Sequence, residues 1–298
     1  MRGELVRVEA EDGFELVGFY AAPSGPPAGR AVLHTHGFAG NFYENRFVDA
    51  IADAVVAKGL AFLTYNNRGH EYRSDNIKGE GADTTSHLGG GSFELFEESV
   101  HDIGGAAGFL EARGHRAIYF EGHSLGTNKV THYLASRKDA RAVGAILISP
   151  PDIFGLREVR TEGRIATILE EARSLVRDGR GEDLIADPAF VVRMSAATLV
   201  SAYGDPAVTD IFPFRLGDDG DFERLATIGV PILATLGNVD EAITVPAEDA
   251  VALLERHAPS PGVRAVVVDG ANHVYWGREG ELARLVGEFV EQGAPWRS

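Results

Sequence analysis

The spacing of apolar residues changes along the chain, from strict alternation near the start to longer runs after residue 29. Two alternating segments, "ELVRVEA" and "FELVGFYAA", flank Glu11-Asp12-Gly13. Because an Asp-Gly pair supplies the positive φ angles that a tight turn needs, these segments predict an antiparallel hairpin. The link "PSGPPAG" separates this hairpin from the rest of the chain.

Beyond the link, short apolar segments alternate with amphipathic ones. Strands that are apolar on both faces are typical of a sheet covered by helices on each side, and such strands are predicted at 30–36, 60–67, 117–123, 143–150, 230–237 and 264–270. Apolar residues at helical spacing predict helices over 44–58, 92–113, 127–136, 247–257 and 278–292. This alternation favours the α/β class, with a mostly parallel sheet and helices on both faces.

Two segments interrupt the alternation. Residues 68–91 form a long polar connection ending in "HLGGG", and loops of that length are usually functional or mobile. Residues 151–221 carry helical patterns and predict a helical cap inserted between the core segments 1–150 and 222–298; a few additional surface helices are the alternative. The apolar residues of the insertion suit either a lid over an apolar pocket or ordinary helix packing, and they are Ile165, Ile168, Leu169, Val191, Val192, Met194 and Leu199.

Composition and charge narrow the classes of function. The chain has 298 residues, of which 44% are apolar, enough for one large core. Its 28 basic and 44 acidic residues give a net charge of −16, which disfavours nucleic acid and anionic membranes as partners. The absence of cysteine excludes disulfides, thiolate metal sites and cysteine nucleophiles. A signal peptide and a long apolar run are not found, so we expect a cytoplasmic protein; a homo-oligomer stays open.

Ser124 stands between two glycines in "GHSLG", directly after a predicted strand and before a predicted helix. This is the setting of a G-x-S-x-G turn, in which glycines leave room for a sharp bend that exposes the serine hydroxyl. The amino end of the helix would also face the negative charge that forms during attack. The pattern therefore indicates a serine nucleophile. The alternative is that Ser124 is only a polar residue in a glycine-rich connection, which could have the same sequence.

A serine nucleophile needs a base to take its proton and a carboxylate to orient that base. His273 follows the last predicted strand and Asp240 follows the strand before it, so both are expected at the sheet edge that carries Ser124. Glu241 is the neighbouring alternative, but the shorter side chain of Asp240 loses less conformational entropy when it is fixed.

The loop after the strand 30–36 is expected to complete the site. The backbone amides of Phe38 and Leu125 are the predicted oxyanion donors. Gly37 would let this loop approach the substrate closely, and His36 is interpreted as a structural hydrogen-bonding residue.

Four further residues have side chains that suit other roles. His34, two residues before His36, makes an H-x-H pattern that metal ligands also use, but the strand is apolar and no ligand cluster lies nearby. No metal is therefore expected. Arg68 is predicted to fix loop geometry rather than to bind an anionic substrate. Tyr275 and Trp276 either line the pocket or pack under the last helix.

Five motifs, "THGF", "NNRGH", "GHSLG", "GNVDE" and "GANH", resemble in order those of the α/β-hydrolase superfamily over nearly the whole chain. The resemblance implies an α/β-hydrolase fold with an eight-stranded, mostly parallel sheet, Ser124 as nucleophile, Asp240 and His273 as its partners, and no cofactor. The stretch from "LGGGSFELFEES" to "GHSLGTNKVTHYL" is also similar to a subgroup that contains siderophore-ester hydrolases. A serine at the turn argues against dehalogenases and epoxide hydrolases, which place an aspartate there.

These observations predict an enzyme that cleaves a small-molecule carboxylic ester with an apolar portion through an acyl-serine intermediate. An amidase, a thioesterase or a C–C bond hydrolase would use the same three residues, because only the leaving group and the cap differ. A hydrolase fold that binds a ligand without catalysis is the alternative from another class, and the complete set of three residues argues against it.

Overall fold

The structure, a computed structural model, describes residues 2–25, 29–187, 190, 192–257 and 262–292; Val191 of the predicted cap lies outside these ranges. The described strands are β1 (Glu4–Glu9), β2 (Phe14–Ala21), β3 (Arg30–Thr35), β4 (Ala61–Tyr65), β5 (Ser74–Lys78), β6 (Thr85–Gly89), β7 (Ala117–His123), β8 (Ala142–Ile148), β9 (Leu184–Ile185), β10 (Met194–Ser195), β11 (Ile232–Gly237) and β12 (Val263–Val268). The described α-helices are α1 (Arg46–Ala57), α2 (Ser99–Ala112), α3 (Leu125–Arg137), α4 (Ile153–Thr161), α5 (Ile165–Arg177), α6 (Ala196–Tyr203), α7 (Pro206–Thr209), α8 (Glu223–Ala226), α9 (Ala247–Arg256) and α10 (Glu279–Gln292).

One large sheet organises the fold. Within the described residues it has 10 strands, in the order β12-β11-β8-β7-β3-β4-β2-β5-β6, with β1 paired to β2. The strands from β12 to β4 run parallel, and the others are antiparallel. The α/β class, the mostly parallel sheet and the N-terminal hairpin are therefore confirmed.

The sheet is larger than the eight strands expected, because the segment 68–91 is not an irregular loop. It contains the hairpin β5–β6, which joins β2 through Phe14 opposite Lys78 and Glu15 opposite Ile77. The first four side chains of β6 are exposed, so backbone hydrogen bonds define this strand rather than a buried apolar face. Sequence periodicity therefore contains no signal for it.

Helices cover both faces of the sheet and bury two apolar clusters. On one face α1 and α10 contribute Phe47 and Val286, and on the other α3 and α9 contribute Val130 and Leu253. Because helices cover both faces, side chains from several strands can meet in the loops at the carboxyl ends of the parallel strands. Among the described residues, no helix combines the length and apolar character needed to cross a membrane.

Residues 151–221 hold α4 to α7 and a small sheet made by β9 and β10. α6 begins at Ala196, because the preceding Ser195 pairs in β10 and its hydroxyl accepts the Thr198 N–H at 3.1 Å. That this insertion serves as a cap stays a prediction. It has its own apolar cluster, formed by Ile165, Ile168, Leu169, Ala172, Ile185, Met194, Ala196 and Leu199.

The helix predicted over 92–113 also begins later, at the first residue of α2. The backbone before α2 bonds to the insertion instead of continuing the helix. Ser92 O accepts the Ser195 N–H at 2.8 Å, and the Phe96 N–H donates to Ser201 Oγ at 2.7 Å. Partners so distant in sequence are invisible to helical periodicity.

Candidate active site

Ser124 lies on the turn between β7 and α3, in a backbone conformation that non-glycine residues rarely adopt. Its φ and ψ angles are 55° and −130°. Close packing requires the flanking glycines, since a Cβ on Gly122 would lie 2.3 Å from Gly126 O and one on Gly126 would lie 2.1 Å from Thr35 O. The turn thus combines local backbone strain with a serine at the carboxyl edge of the sheet.

The structure brings the three predicted side chains together at this edge. Ser124 Oγ lies 2.8 Å from His273 Nε2, and His273 Nδ1 lies 2.9 Å from Asp240 Oδ1 and 3.1 Å from Oδ2. His273 keeps 16% of its side chain exposed, whereas the side chain of Asp240 is fully buried. A substrate can therefore approach the imidazole while the carboxylate stays shielded from water.

Asp240 is held as an anion. Burial raises the pKa of its carboxyl group, but the hydrogen bond and charge of His273, together with the Ala242 N–H at 2.8 Å, lower the pKa by more, to below its ordinary value. When His273 carries a single ring proton, the anionic Asp240 keeps that proton on Nδ1, which leaves Nε2 to accept the Ser124 hydroxyl. Glu241, the alternative carboxylate, is exposed.

The loop after β3 packs directly against the serine turn. A Cβ on Gly37 would lie 2.8 Å from Ser124 Cβ and 3.1 Å from Leu125 N, closer than a side chain allows. Leu125 is the first residue of α3, where an amide has no partner within the helix. Phe38 directly follows Gly37 and is 39% exposed. The two segments are adjacent, and the role of their amides as oxyanion donors stays a prediction.

The two histidines of β3 and its following loop make structural contacts. His36 Nδ1 lies 2.9 Å from Gly37 O, and its Nε2 accepts the Asn67 N–H at 3.0 Å. Burial lowers the pKa of His36 well below its ordinary value, so the ring is neutral. His34 Nδ1 lies 2.7 Å from the buried Glu121 carboxylate. In the ranges that the structure describes, no group of three or more candidate ligands could hold a metal ion.

Arg68 is buried and surrounded by carboxylates. Its guanidinium donates to Asp102 at 2.7 and 2.9 Å, and to Glu98 and Asp12 at 2.9 Å each. These contacts hold the loop after β4 in place, as predicted, and they occupy donors that an anionic substrate would need.

Three exposed apolar side chains lie close in sequence to residues of the site. Phe38 is 39% exposed, Val239 is 59% exposed and Trp276 is 71% exposed, and each adjoins or closely follows a residue of the site. Tyr275 differs from Trp276, because it is buried and donates its hydroxyl to Thr235 Oγ1 at 2.8 Å. Of the two aromatic residues after His273, Tyr275 therefore packs in the core, whereas Trp276 is exposed.

Two contacts near the site were not anticipated from the sequence. His123 Nε2 lies 2.8 Å from His273 O, and Lys129 of α3 forms a buried ion pair with Glu94. His123 belongs to the "GHSLG" motif, so the sequence predicts its place beside Ser124. The sequence does not predict that it bonds to the His273 carbonyl. Neither member of the ion pair carried a sequence signal.

The order of the sheet, the serine turn and the three bonded side chains define the class of the protein, which is an α/β hydrolase. Residues 26–279 match the family described as serine aminopeptidase, S33. The chain belongs to this family, so hydrolysis is its general activity. A search of curated proteins found no match.

Solved structures of several hydrolases share the fold. Est1E from Butyrivibrio proteoclasticus, solved with ferulic acid, is 19% identical with a TM-score of 0.63, over 97% of this chain and 99% of that one. The esterase Pf2001 from Pyrococcus furiosus is 16% identical with a TM-score of 0.61, over 99% and 94%. XC6422 from Xanthomonas campestris, a serine hydrolase without lid, is 14% identical with a TM-score of 0.56, over 100% and 98%. At these identities the likeness concerns the fold.

Proposed function

We propose that the protein is a carboxylic ester hydrolase that works through an acyl-serine intermediate, with Ser124, His273 and Asp240 as its catalytic residues. The observation that carries this proposal is the unbroken chain of hydrogen bonds from the serine through the imidazole to the carboxylate, at 2.8 and 2.9 Å. Nucleophile and base are within proton-transfer reach, and the base is oriented by a third group.

The reaction proceeds in two halves. His273 Nε2 takes the proton of Ser124 while Oγ attacks the ester carbonyl carbon, and the imidazolium then protonates the departing alkoxide, which leaves as an alcohol. Water, deprotonated by His273, attacks the acyl-serine, and the carboxylic acid leaves as Ser124 recovers its proton. Asp240 stabilises the imidazolium in both halves.

The amides of Phe38 and Leu125 stabilise the negative charge that forms on the carbonyl oxygen. Gly37 supports this assignment, because its lack of a side chain lets the loop lie against the serine turn. Each such donor contributes about 2.7–4 kcal/mol to lowering the barrier.

The substrate is a small ester with an apolar portion. The exposed side chains of Phe38, Val239 and Trp276 support this, since they are apolar and lie close in sequence to the polar residues of the site. The esterase fold neighbours agree with an ester as substrate.

The insertion 151–221 acts as a cap over the border of the site. α6 bonds to the segment that follows the three glycines 89–91, because Thr198 Oγ1 donates to Ser92 O at 3.1 Å. Gly91 directly precedes Ser92, and a Cβ on it would lie 2.9 Å from the Phe38 ring, so the insertion, residues 91–92 and the loop after β3 form one continuous contact.

Labelling with a fluorophosphonate probe tests the nucleophile. Wild type should be labelled and hydrolyse p-nitrophenyl esters, and Ser124→Ala should lose both properties. Ser136→Ala is the matched control, because Ser136 lies on α3 and its hydroxyl donates to backbone carbonyl oxygens of the same helix, His132 O at 2.7 Å and Tyr133 O at 3.2 Å. Equal labelling of wild type and Ser124→Ala would remove Ser124 from the mechanism.

An amidase is the second candidate, and the description of the matching family as serine aminopeptidase favours it specifically. Rates on aryl esters and on matched anilides and aminoacyl anilides separate the two functions. Faster turnover of esters supports the esterase, and faster turnover of an anilide would replace it with the amidase.

A further inference from the structure

We infer that His123 is a positioning residue, which holds the loop bearing His273 in register with the serine turn. The inference rests on the proposed function and adds to it a link that runs between nucleophile and base without passing through Asp240. His123 is the last residue of β7 and precedes Ser124 directly, so whatever it binds is fixed relative to the nucleophile.

The contact is short and enclosed. His123 Nε2 lies 2.8 Å from the backbone carbonyl oxygen of His273, and 5% of His123 is exposed. The His123 ring lies 5.1 Å from the His273 ring and 4.8 Å from the Phe47 ring, centroid to centroid. Packing against these two rings leaves the buried imidazole little freedom to turn away from the carbonyl.

The carbonyl acceptor determines the tautomer, because Nε2 must carry a proton to bond to it. Burial, and next the charge on His273, lower the pKa of His123 to about 3, although the His273 carbonyl bond and Asp240 oppose this. His34 is the remaining titratable group acting on it, and it also lowers the pKa. His123 is therefore a neutral donor at neutral pH.

The His273 side chain is thus fixed from two directions. Asp240 holds the Nδ1 edge of the imidazole, and His123 holds the backbone from which the side chain projects. Loss of the second contact would leave the imidazole free to pivot about Asp240, which lengthens the distance from Nε2 to Ser124 Oγ. A misplacement of about 1 Å lowers a rate about 10²-fold.

Two substitutions test this link. His123→Phe keeps the ring and removes the donor, and His123→Gln puts an amide N–H₂ where Nε2 lies. For ester hydrolysis we expect His123→Phe to lower kcat about 10- to 100-fold with KM within about twofold, and His123→Gln to recover most of kcat. His115→Phe is the matched control. His115 is also buried and its Nε2 lies 2.8 Å from the Tyr20 hydroxyl, but it precedes β7 and, among the described residues, is not hydrogen-bonded to His273.

Urea unfolding and the rate of fluorophosphonate labelling are measured on each variant. If His123→Phe does not fold, His123→Asn replaces it, since its shorter amide cannot reach the carbonyl. A folded His123→Phe with wild-type kcat and labelling rate, or equal impairment of the Phe and Gln variants, would overturn the inference while the proposed function stands. Absence of labelling in wild type would reject the proposed function, and this inference with it.

Discussion

The buried ion pair between Lys129 and Glu94 allows a quantitative prediction. Lys129 lies on α3, the helix that begins after Ser124, and none of it is exposed; Glu94 is 6% exposed. Besides the carboxylate, the ammonium has the Asn67 side-chain oxygen at 3.4 Å. Lys129→Met keeps the length of the side chain and removes the charge, so the Glu94 carboxylate is left buried without its cation.

Removing one partner of a buried ion pair destabilises a protein by about 3–5 kcal/mol, because the remaining charge has lost both water and counterion. Replacing both partners removes that penalty. We therefore expect Lys129→Met to lower the free energy of unfolding by about 3–5 kcal/mol, and Lys129→Met/Glu94→Gln to recover more than half of the loss.

Urea unfolding followed by circular dichroism measures these differences. Arg284→Met is the matched control, since Arg284 forms an exposed pair with Glu288 at 2.6 Å, and exposed pairs of this kind contribute about 0–1 kcal/mol. A Lys129→Met variant no less stable than Arg284→Met, or a double variant less stable than Lys129→Met, would refute the assignment of a strong buried pair.

Three further predictions concern the site. Asp240→Asn should lower kcat about 10⁴-fold through loss of the correct His273 tautomer, while Glu241→Gln should leave kcat unchanged in ester hydrolysis assays. Gly37→Ala puts a Cβ 2.8 Å from Ser124 Cβ, so kcat should fall about 10²-fold in a protein that still unfolds cooperatively; unchanged kcat would contradict this. Because the pKa of His123 is lowered to about 3, the unfolded chain binds a proton there that the folded chain excludes below about pH 6.5. The contribution of neutral His123 to the free energy of unfolding is therefore complete above about pH 6.5, and it falls by about 1.4 kcal/mol per pH unit as the pH drops toward 3. Urea unfolding at about pH 7 and 5 should therefore show a smaller acid loss for His123→Gln than for wild type, and equal losses would contradict it.

The sequence predicts the parallel strands well because each is buried on both faces, which makes it a continuous apolar run. β3 and β4 illustrate this, since apart from Arg30 every residue in them is buried. The same rule fails for β5 and β6, which lie at the edge of the sheet with polar and exposed side chains. Backbone pairing defines them, since β5 pairs with β2 and β6 pairs with β5, and such pairing leaves no period of apolar residues in the sequence.

The candidate site divides in the same way. Ser124, Asp240 and His273 were predictable because each follows a recognisable strand, and parallel strands bring their carboxyl ends to one edge. The contact of His123 with the His273 carbonyl was not predictable, because a backbone acceptor 150 residues away has no residue type to signal it. Side-chain motifs are visible in a sequence, whereas partners that are main-chain atoms are not.

A second carboxylate shows why strand-end position alone does not identify a catalytic acid. Asp152 follows β8 as Asp240 follows β11, and the side chains of both are fully buried. Its oxygens, however, accept the Gly155 N–H at 2.7 Å, the Arg215 N–H at 2.7 Å and the Thr244 hydroxyl at 3.1 Å. These donors join the two ends of the insertion 151–221 to the loop that follows Asp240. Because these donors occupy its carboxylate oxygens, Asp152 cannot orient an imidazole. Its role is to anchor the insertion beside the site.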